Sequence, residues 1–282
     1  LHGAGGTSIG AFIMFAVLAG MSVHEIYTLL KNLDNWDMYR LIKTIDIKNI
    51  SHNGGLCDHT LLKKFVQKLF IQLGYKENMT FKEFYKKTGK YFLCNSSCTS
   101  TNDIYLMDHE RTPDMYIKNA LVMSMCLPVL FKPVTYDNKL YVDGGYFRNY
   151  IINYFPAKET MGIRIADNLH SPLLIQKTSE LFTLYYLMRL CLCQCKVLDM
   201  HQWKTLDSEH VKNTIILKTP SVDPMDPVST LKIDNKVIET LTRDGFNSTI
   251  SVLYAEKILG LAIIVIYHLF NFTQKQISNS EE

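Results

Sequence analysis

The sequence predicts an α/β layered fold with a mainly parallel sheet. Short apolar strand candidates alternate with longer stretches of helical periodicity, the pattern of strands joined by crossover helices. Helix-start signals recur along the chain at Ser22, Asp58 and Thr80. Of 282 residues, 47% are apolar and 20% charged, enough for one sizeable core and too apolar for a disordered chain.

Taken in order, Gly6-Thr7-Ser8-Ile9-Gly10 marks a tight strand-to-helix turn, and residues 12–18 read as a buried apolar helix. Ser22 and Glu25 form a capping box that opens a helix through Leu30. Asp58 caps a further helix with Leu61, Leu62, Phe65, Val66, Leu69, Phe70 and Leu73 on one face, and Gly74 ends it. Thr80 and Glu83 form a second capping box. Strands are expected at 90–94, 104–107, 140–142, 160–165 and 214–217. Thr112-Pro113 is expected to start a helix, with proline at its first position. Asp137-Asn138 predicts a hairpin turn between 134–136 and 139–142. The C-terminal stretch reads as two helices followed by a polar tail at 273–282.

A net charge of +3 without a Lys/Arg run gives no electrostatic footprint for nucleic acid. Seven cysteines, an odd number without paired spacing, argue against a secreted disulfide framework. No basic n-region of a secretory signal opens the chain. A cytoplasmic protein is therefore expected, with peripheral contact to a membrane left open. In such a chain the N-x-S/T patterns at Asn78 and Asn95 carry no weight. The uncharged apolar run 258–272 is shorter than the roughly 20 residues that span a bilayer, so a buried or interfacial helix is expected there, with a short tail anchor as the alternative.

Two places carry chemistry. Gly6-x-Ser8-x-Gly10 is the G-x-S-x-G nucleophile elbow. It needs small residues where backbone and helix crowd, and it aims a helix N-terminus at the serine. A hydroxyl needs a base before it attacks. His109 lies in the charged stretch Asp108-His109-Glu110-Arg111 and reads as solvated, whereas His201 and His210 leave a Ser…Asp…His order open. The second place is Val142-Asp143-Gly144-Gly145, a carboxylate ending a short strand before glycines that permit close backbone approach. The bland alternatives are a glycine-rich loop and an Asp-Gly turn. Cys191-x-Cys193-x-Cys195 reads as packing, because structural zinc favours separated C-x2–4-C pairs. The apolar stretch 181–192 reads as a helix buried on the sheet, with a lid or docking surface as the alternative.

Together these residues resemble the patatin-like phospholipase family, whose pattern is G-T-S-x-G followed by D-G-G or D-G-A. Thr80-Phe81-Lys82-Glu83-Phe84-Tyr85-Lys86-Lys87-Thr88-Gly89-Lys90 resembles a family segment, as do Thr112-Pro113-Asp114, residues 120–128 and Phe131-Lys132-Pro133-Val134. The likeness covers residues 1–165. It implies a three-layer α/β/α fold over residues 1–250, with 251–282 as an apolar helix and polar tail. It also implies a lipid acyl hydrolase of phospholipase A or lysophospholipase type. Ser8 would be the nucleophile and Asp143 the proton acceptor of a Ser–Asp dyad. Gly6, Thr7, Ile9 and Gly10 would complete one motif, and Gly144 and Gly145 the other. The resemblance implies a lipid substrate and no cofactor or metal, and the sequence carries no D-x-[DN]-x-[DN]-G loop for calcium.

The sequence also departs from the pattern. The family's G-G-G-x-[KR]-G oxyanion loop precedes the nucleophile by more than the seven residues found here, so the domain is expected to be N-terminally truncated, with the oxyanion hole not in this chain. Ile9 stands where the family usually has alanine, and Tyr150-Ile151 follows Asn149 where a proline is usual. A degenerate, non-catalytic module that binds lipid or a partner is the main rival reading. A Ser-His-Asp esterase drawing on His170, His201 or His210 is the second.

Overall fold

The computed structural model describes residues 1–31, 52–166, 182–218 and 235–255. Strand β1 (Gly3–Thr7) runs into helix α1 (Ile9–Leu18), followed by α2 (Val23–Lys31). Next come β2 (Gly55–Cys57), α3 (Thr60–Gln72), α4 (Phe81–Thr88), β3 (Tyr91–Cys98), β4 (Asp103–Met107) and α5 (Ile117–Ser124). Strands β5 (Val129–Phe131), β6 (Val134–Tyr136) and β7 (Lys139–Asp143) lead into a 3-10 turn at Gly144–Tyr146. The last described elements are β8 (Gly162–Ala166), α6 (Phe182–Lys204), α7 (Ser208–Lys212), β9 (Thr214–Lys218) and α8 (Asn235–Ala255). The apolar run 258–272 and the tail 273–282 lie outside the described residues.

Strand β3 organises the central sheet. On one edge it pairs antiparallel with β4, from Cys94↔Met107 to Cys98↔Asp103. On the other it receives two strands end to end: β1 in parallel, from Gly3↔Tyr91 to Thr7↔Asn95, then β7 antiparallel, from Ser96↔Asp143 to Cys98↔Tyr141. Strand β6 completes the sheet against β7. The fold is the expected α/β class, but the sheet is mixed. Parallel pairing holds for β1–β3, β2–β5 and β8–β9. Short connections make β3–β4 and β6–β7 antiparallel, and β7 pairs antiparallel with β3 across a longer excursion. The Asp137-Asn138 turn, with φ of 47° and 55° at its two residues, closes the β6–β7 hairpin, as a type I′ turn requires.

The predicted caps are present. Ser22 and Glu25 exchange backbone-to-side-chain bonds, and Thr80 and Glu83 form a complete capping box; at α3 the N-cap position is His59, and Asp58, one residue earlier, accepts Thr60 N–H at 2.8 Å. Gly74 follows α3 with φ 64°. One start signal misleads. Thr112-Pro113 opens no helix; α5 begins at Ile117. The carbonyls of Pro113 and Met115 instead accept the N–H groups of Lys82 and Phe81. Those groups, in the first turn of α4, have no partner within their own helix.

Aromatic packing holds α1 in place. Phe12 stacks on Phe65 of α3 at 4.1 Å between ring centroids. Phe15 meets Phe70, Phe84 and Phe92 at 5.2–5.4 Å. These rings are fully buried, and each such burial is worth roughly 1.5–3 kcal/mol. The helix after Ser8 is thus anchored on α3, α4 and β3.

Candidate active site

Ser8 occupies the junction of β1 and α1 with φ 55° and ψ −129°, a backbone region that costs an L-residue on the order of 1–3 kcal/mol. The elbow is crowded from one side. A Cβ on Gly6 would lie 2.5 Å from the Gly10 carbonyl carbon and 2.6 Å from Ala11 N, whereas one on Gly10 would meet nothing within 4 Å. The motif's first glycine is therefore demanded by packing, and the second supplies the backbone against which the first must fit. Ser8 N–H donates to the hydroxyl of buried Ser124 at 2.9 Å, while its carbonyl accepts from Ala11 and Phe12 and starts α1.

Asp143 ends β7 and is 3% exposed. Its Oδ1 accepts Gly145 N–H at 2.7 Å, and its Oδ2 accepts the Ser8 hydroxyl at 2.5 Å. Its own N–H donates to the Cys126 carbonyl at 2.7 Å. Burial pushes the carboxyl pKa up from 3.8 to about 6, although the bonds from Ser8 and Gly145 pull the other way. The residue after Asp143 also fits without slack: a Cβ on Gly144 would stand 2.5 Å from the Asn95 carbonyl oxygen. On Gly145 the nearest atoms would be at 3.1 Å, a milder constraint that accords with a motif ending in glycine or alanine.

The two predicted side chains thus meet, and among the described residues no histidine stands between them. His210 is buried with Nε2 3.0 Å from the Phe155 carbonyl. His201 lies exposed on α6, and His170 lies outside the described residues. His109, read as solvated, instead stacks on the Tyr85 ring at 3.7 Å. The adjacent Asp108 is fully buried and ion-paired to Arg111.

The chain belongs to the patatin-like phospholipase family. That family matches residues 2–156, a span that holds both Ser8 and Asp143. The chain is 31% identical over 150 residues to "Probable lipid hydrolase 463L" of Invertebrate iridescent virus 6, covering 52% of this chain and 51% of that protein. It is 27% identical over 171 residues to "Uncharacterized protein R571" of Acanthamoeba polyphaga mimivirus, covering 58% and 54%. The chain therefore spans about half the length of the curated relatives it matches. Among solved structures, VipD from Legionella pneumophila shares the fold, with a TM-score of 0.50 and 13% identity over 90% of this chain and 61% of that one.

In this patatin-like chain, α6 packs beside the Gly144–Tyr146 turn, and its Gln202 donates to the Phe147 carbonyl at 2.6 Å. The helix expected to be buried has an exposed apolar side carrying Tyr186, Leu187 and Leu190, with Arg189 covered. Cys191 and Cys195 are half-buried and Cys193 is exposed. Burial pushes the Cys195 thiol up to about 12, with Asp143 adding to the effect. Among the described residues, no group of three His, Cys, Asp or Glu side chains could hold a metal. Nor is any described helix long and apolar enough to cross a membrane.

Sequence reasoning missed the supports of this site: Ser124 and the Cys126 carbonyl, one beneath each key residue, and the buried amide of Asn95. Ser124 and Cys126 lie within residues 120–128 of the family likeness, but nothing local assigned them bonds.

Proposed function

We propose that this chain is a lipid acyl hydrolase in which Ser8 is the nucleophile and Asp143 its general base, cleaving phospholipid or lysophospholipid esters. The observation that carries the reading is the 2.5 Å bond from the Ser8 hydroxyl to Asp143 Oδ2. As Ser8 Oγ attacks the ester carbonyl carbon, its proton passes to Asp143, and the carbonyl oxygen becomes an oxyanion. Collapse expels the alcohol, which takes the proton back from Asp143 and leaves the acyl group on Ser8. Water then attacks that ester and gives its proton to Asp143, which returns it to Ser8 Oγ as the acyl bond breaks and the fatty acid leaves. A carboxylate of ordinary pKa is a weak base for an alcohol; at about 6, Asp143 is better matched to neutral pH. Of the donors an oxyanion needs, the elbow itself offers one, the N–H of Ile9, the residue after the nucleophile.

The exposed apolar side of α6 and the half-exposed Ile9 suit a substrate with acyl chains. A non-catalytic lipid-binding module would give no reason for Ser8 to hold a strained φ of 55° with its hydroxyl on a buried carboxylate. The test is hydrolysis of a fluorogenic acyl ester, followed by phospholipid and lysophospholipid, in parallel with Ser8→Ala. Loss of turnover in Ser8→Ala is expected. Undiminished turnover there would remove the assignment.

A further inference from the structure

Strand β3 contains three consecutive fully buried polar residues, Asn95, Ser96 and Ser97, in the middle of the sheet. A buried polar side chain is unfavourable unless its bonds are made, and asparagine is disfavoured in strands. All three bond to the segment around Asp143. Ser96 Oγ donates to the Val142 carbonyl at 2.7 Å, and Ser97 Oγ to the Gly144 carbonyl at 3.2 Å. Asn95 alone of the three also reaches the strand that carries the nucleophile. Its Oδ1 accepts the Thr7 hydroxyl at 2.8 Å, and its Nδ2 donates to the carbonyls of Gly144 at 3.3 Å and Arg148 at 3.0 Å. The amide's acceptor and both donor hydrogens are thereby engaged.

We infer that Asn95 is a positioning residue for the reaction: its amide ties the residue before Ser8 to the residue after Asp143 and so sets the separation of the two reacting side chains. Two further features point the same way. The backbone at Asn95 pairs with Thr7, and the backbone at Ser96 with Asp143, so the amide bridges the ends of β1 and β7. Gly144 lies so close that a Cβ there would come within 2.8 Å of the Asn95 Cγ, leaving the amide one place to sit. Asn95 touches neither reacting atom; it acts through Thr7 and Gly144. The Gly144 carbonyl keeps bonds from Ser97 Oγ and Arg148 N–H without it, so its removal slackens the pair without dismantling the strand. Displacements near 1 Å in such a pair lower rates by roughly 100-fold.

This inference rests on the Ser8–Asp143 reading, and the experiment separates the two. Asn95→Ala and the near-isosteric Thr7→Val are assayed for kcat and KM on a fluorogenic acyl ester, for labelling of Ser8 by a fluorophosphonate ester, and for thermal unfolding. In both variants kcat and the labelling rate are expected to fall roughly 10-fold or more, with KM within about twofold. The pH midpoint of kcat/KM should move upward, because the Ser8 bond that holds the Asp143 pKa down is weakened. A merely structural role would lower the melting temperature and leave that midpoint in place. If Asn95→Ala does not fold, Thr7→Val decides. Wild-type kcat and an unmoved midpoint in the folded variants, with Ser8→Ala inactive, would overturn the role of Asn95 alone. Turnover retained in Ser8→Ala would overturn the dyad and, with it, this inference.

Discussion

Thr7 and Asp143 stand opposite consecutive residues of one strand, Asn95 and Ser96 of β3. Strands β1 and β7 approach each other head-on along that edge, and each ends where the other does. The Ser8 hydroxyl, one residue past the end of β1, then falls onto the carboxylate that closes β7, within a single hydrogen bond. Backbone ladders to β3 hold both partners to one ruler.

Activity should follow the ionisation of Asp143. Burial raises its pKa to about 6, and a general base works only when deprotonated. The expected kcat/KM therefore climbs as pH rises through about 6 and levels off above it. A pH profile that stays flat down to pH 4 would contradict Asp143 as the base.

The same burial makes the ionised carboxylate a burden on the fold. Because the folded-state pKa lies above the ordinary value of 3.8, the folded state holds the proton more tightly. Its stabilising contribution is full below pH 3.8 and is lost as pH rises through about 6. The difference amounts to about 3 kcal/mol at neutral pH. Asp143→Asn, whose amide can still accept from Gly145 and donate to Ser8, should abolish hydrolysis yet raise stability at pH 7.5 by up to about 3 kcal/mol. That gain should vanish near pH 4. Denaturant unfolding at the two pH values tests both statements.

The two glycines of the elbow should differ in their tolerance of alanine. Gly6→Ala drives a Cβ to 2.5 Å from the backbone of Gly10 and should destabilise the fold by at least about 2 kcal/mol. Gly10→Ala meets open space within a helix, where alanine is favoured by up to about 1 kcal/mol. It should leave the melting temperature unchanged or raised. Equal losses in both would refute the one-sided crowding.

What could be read from the chain was what neighbours in sequence enforce. The capping boxes at Ser22 and Thr80, the cap at Asp58, the Asp137-Asn138 turn and the elbow at Ser8 each depend on groups a few residues apart, so their chemistry is written locally. Motif order added the family likeness, and with it the pairing of Ser8 with Asp143 as an expectation. Local signals failed where distant backbone competes. Pro113 has the mark of a helix start, yet carbonyls around it serve the first turn of α4. The strand expected at 90–94 continues in β3 to Cys98, because the polar side chains of Asn95, Ser96 and Ser97 find bonds in the segment around Asp143. Tertiary structure alone decided the mixed sheet, the register that brings β1 and β7 together on β3, and the dry surroundings that make Asp143 a stronger base. Register and burial arise from contacts between residues far apart in the chain, and no local pattern encodes which of those contacts will form.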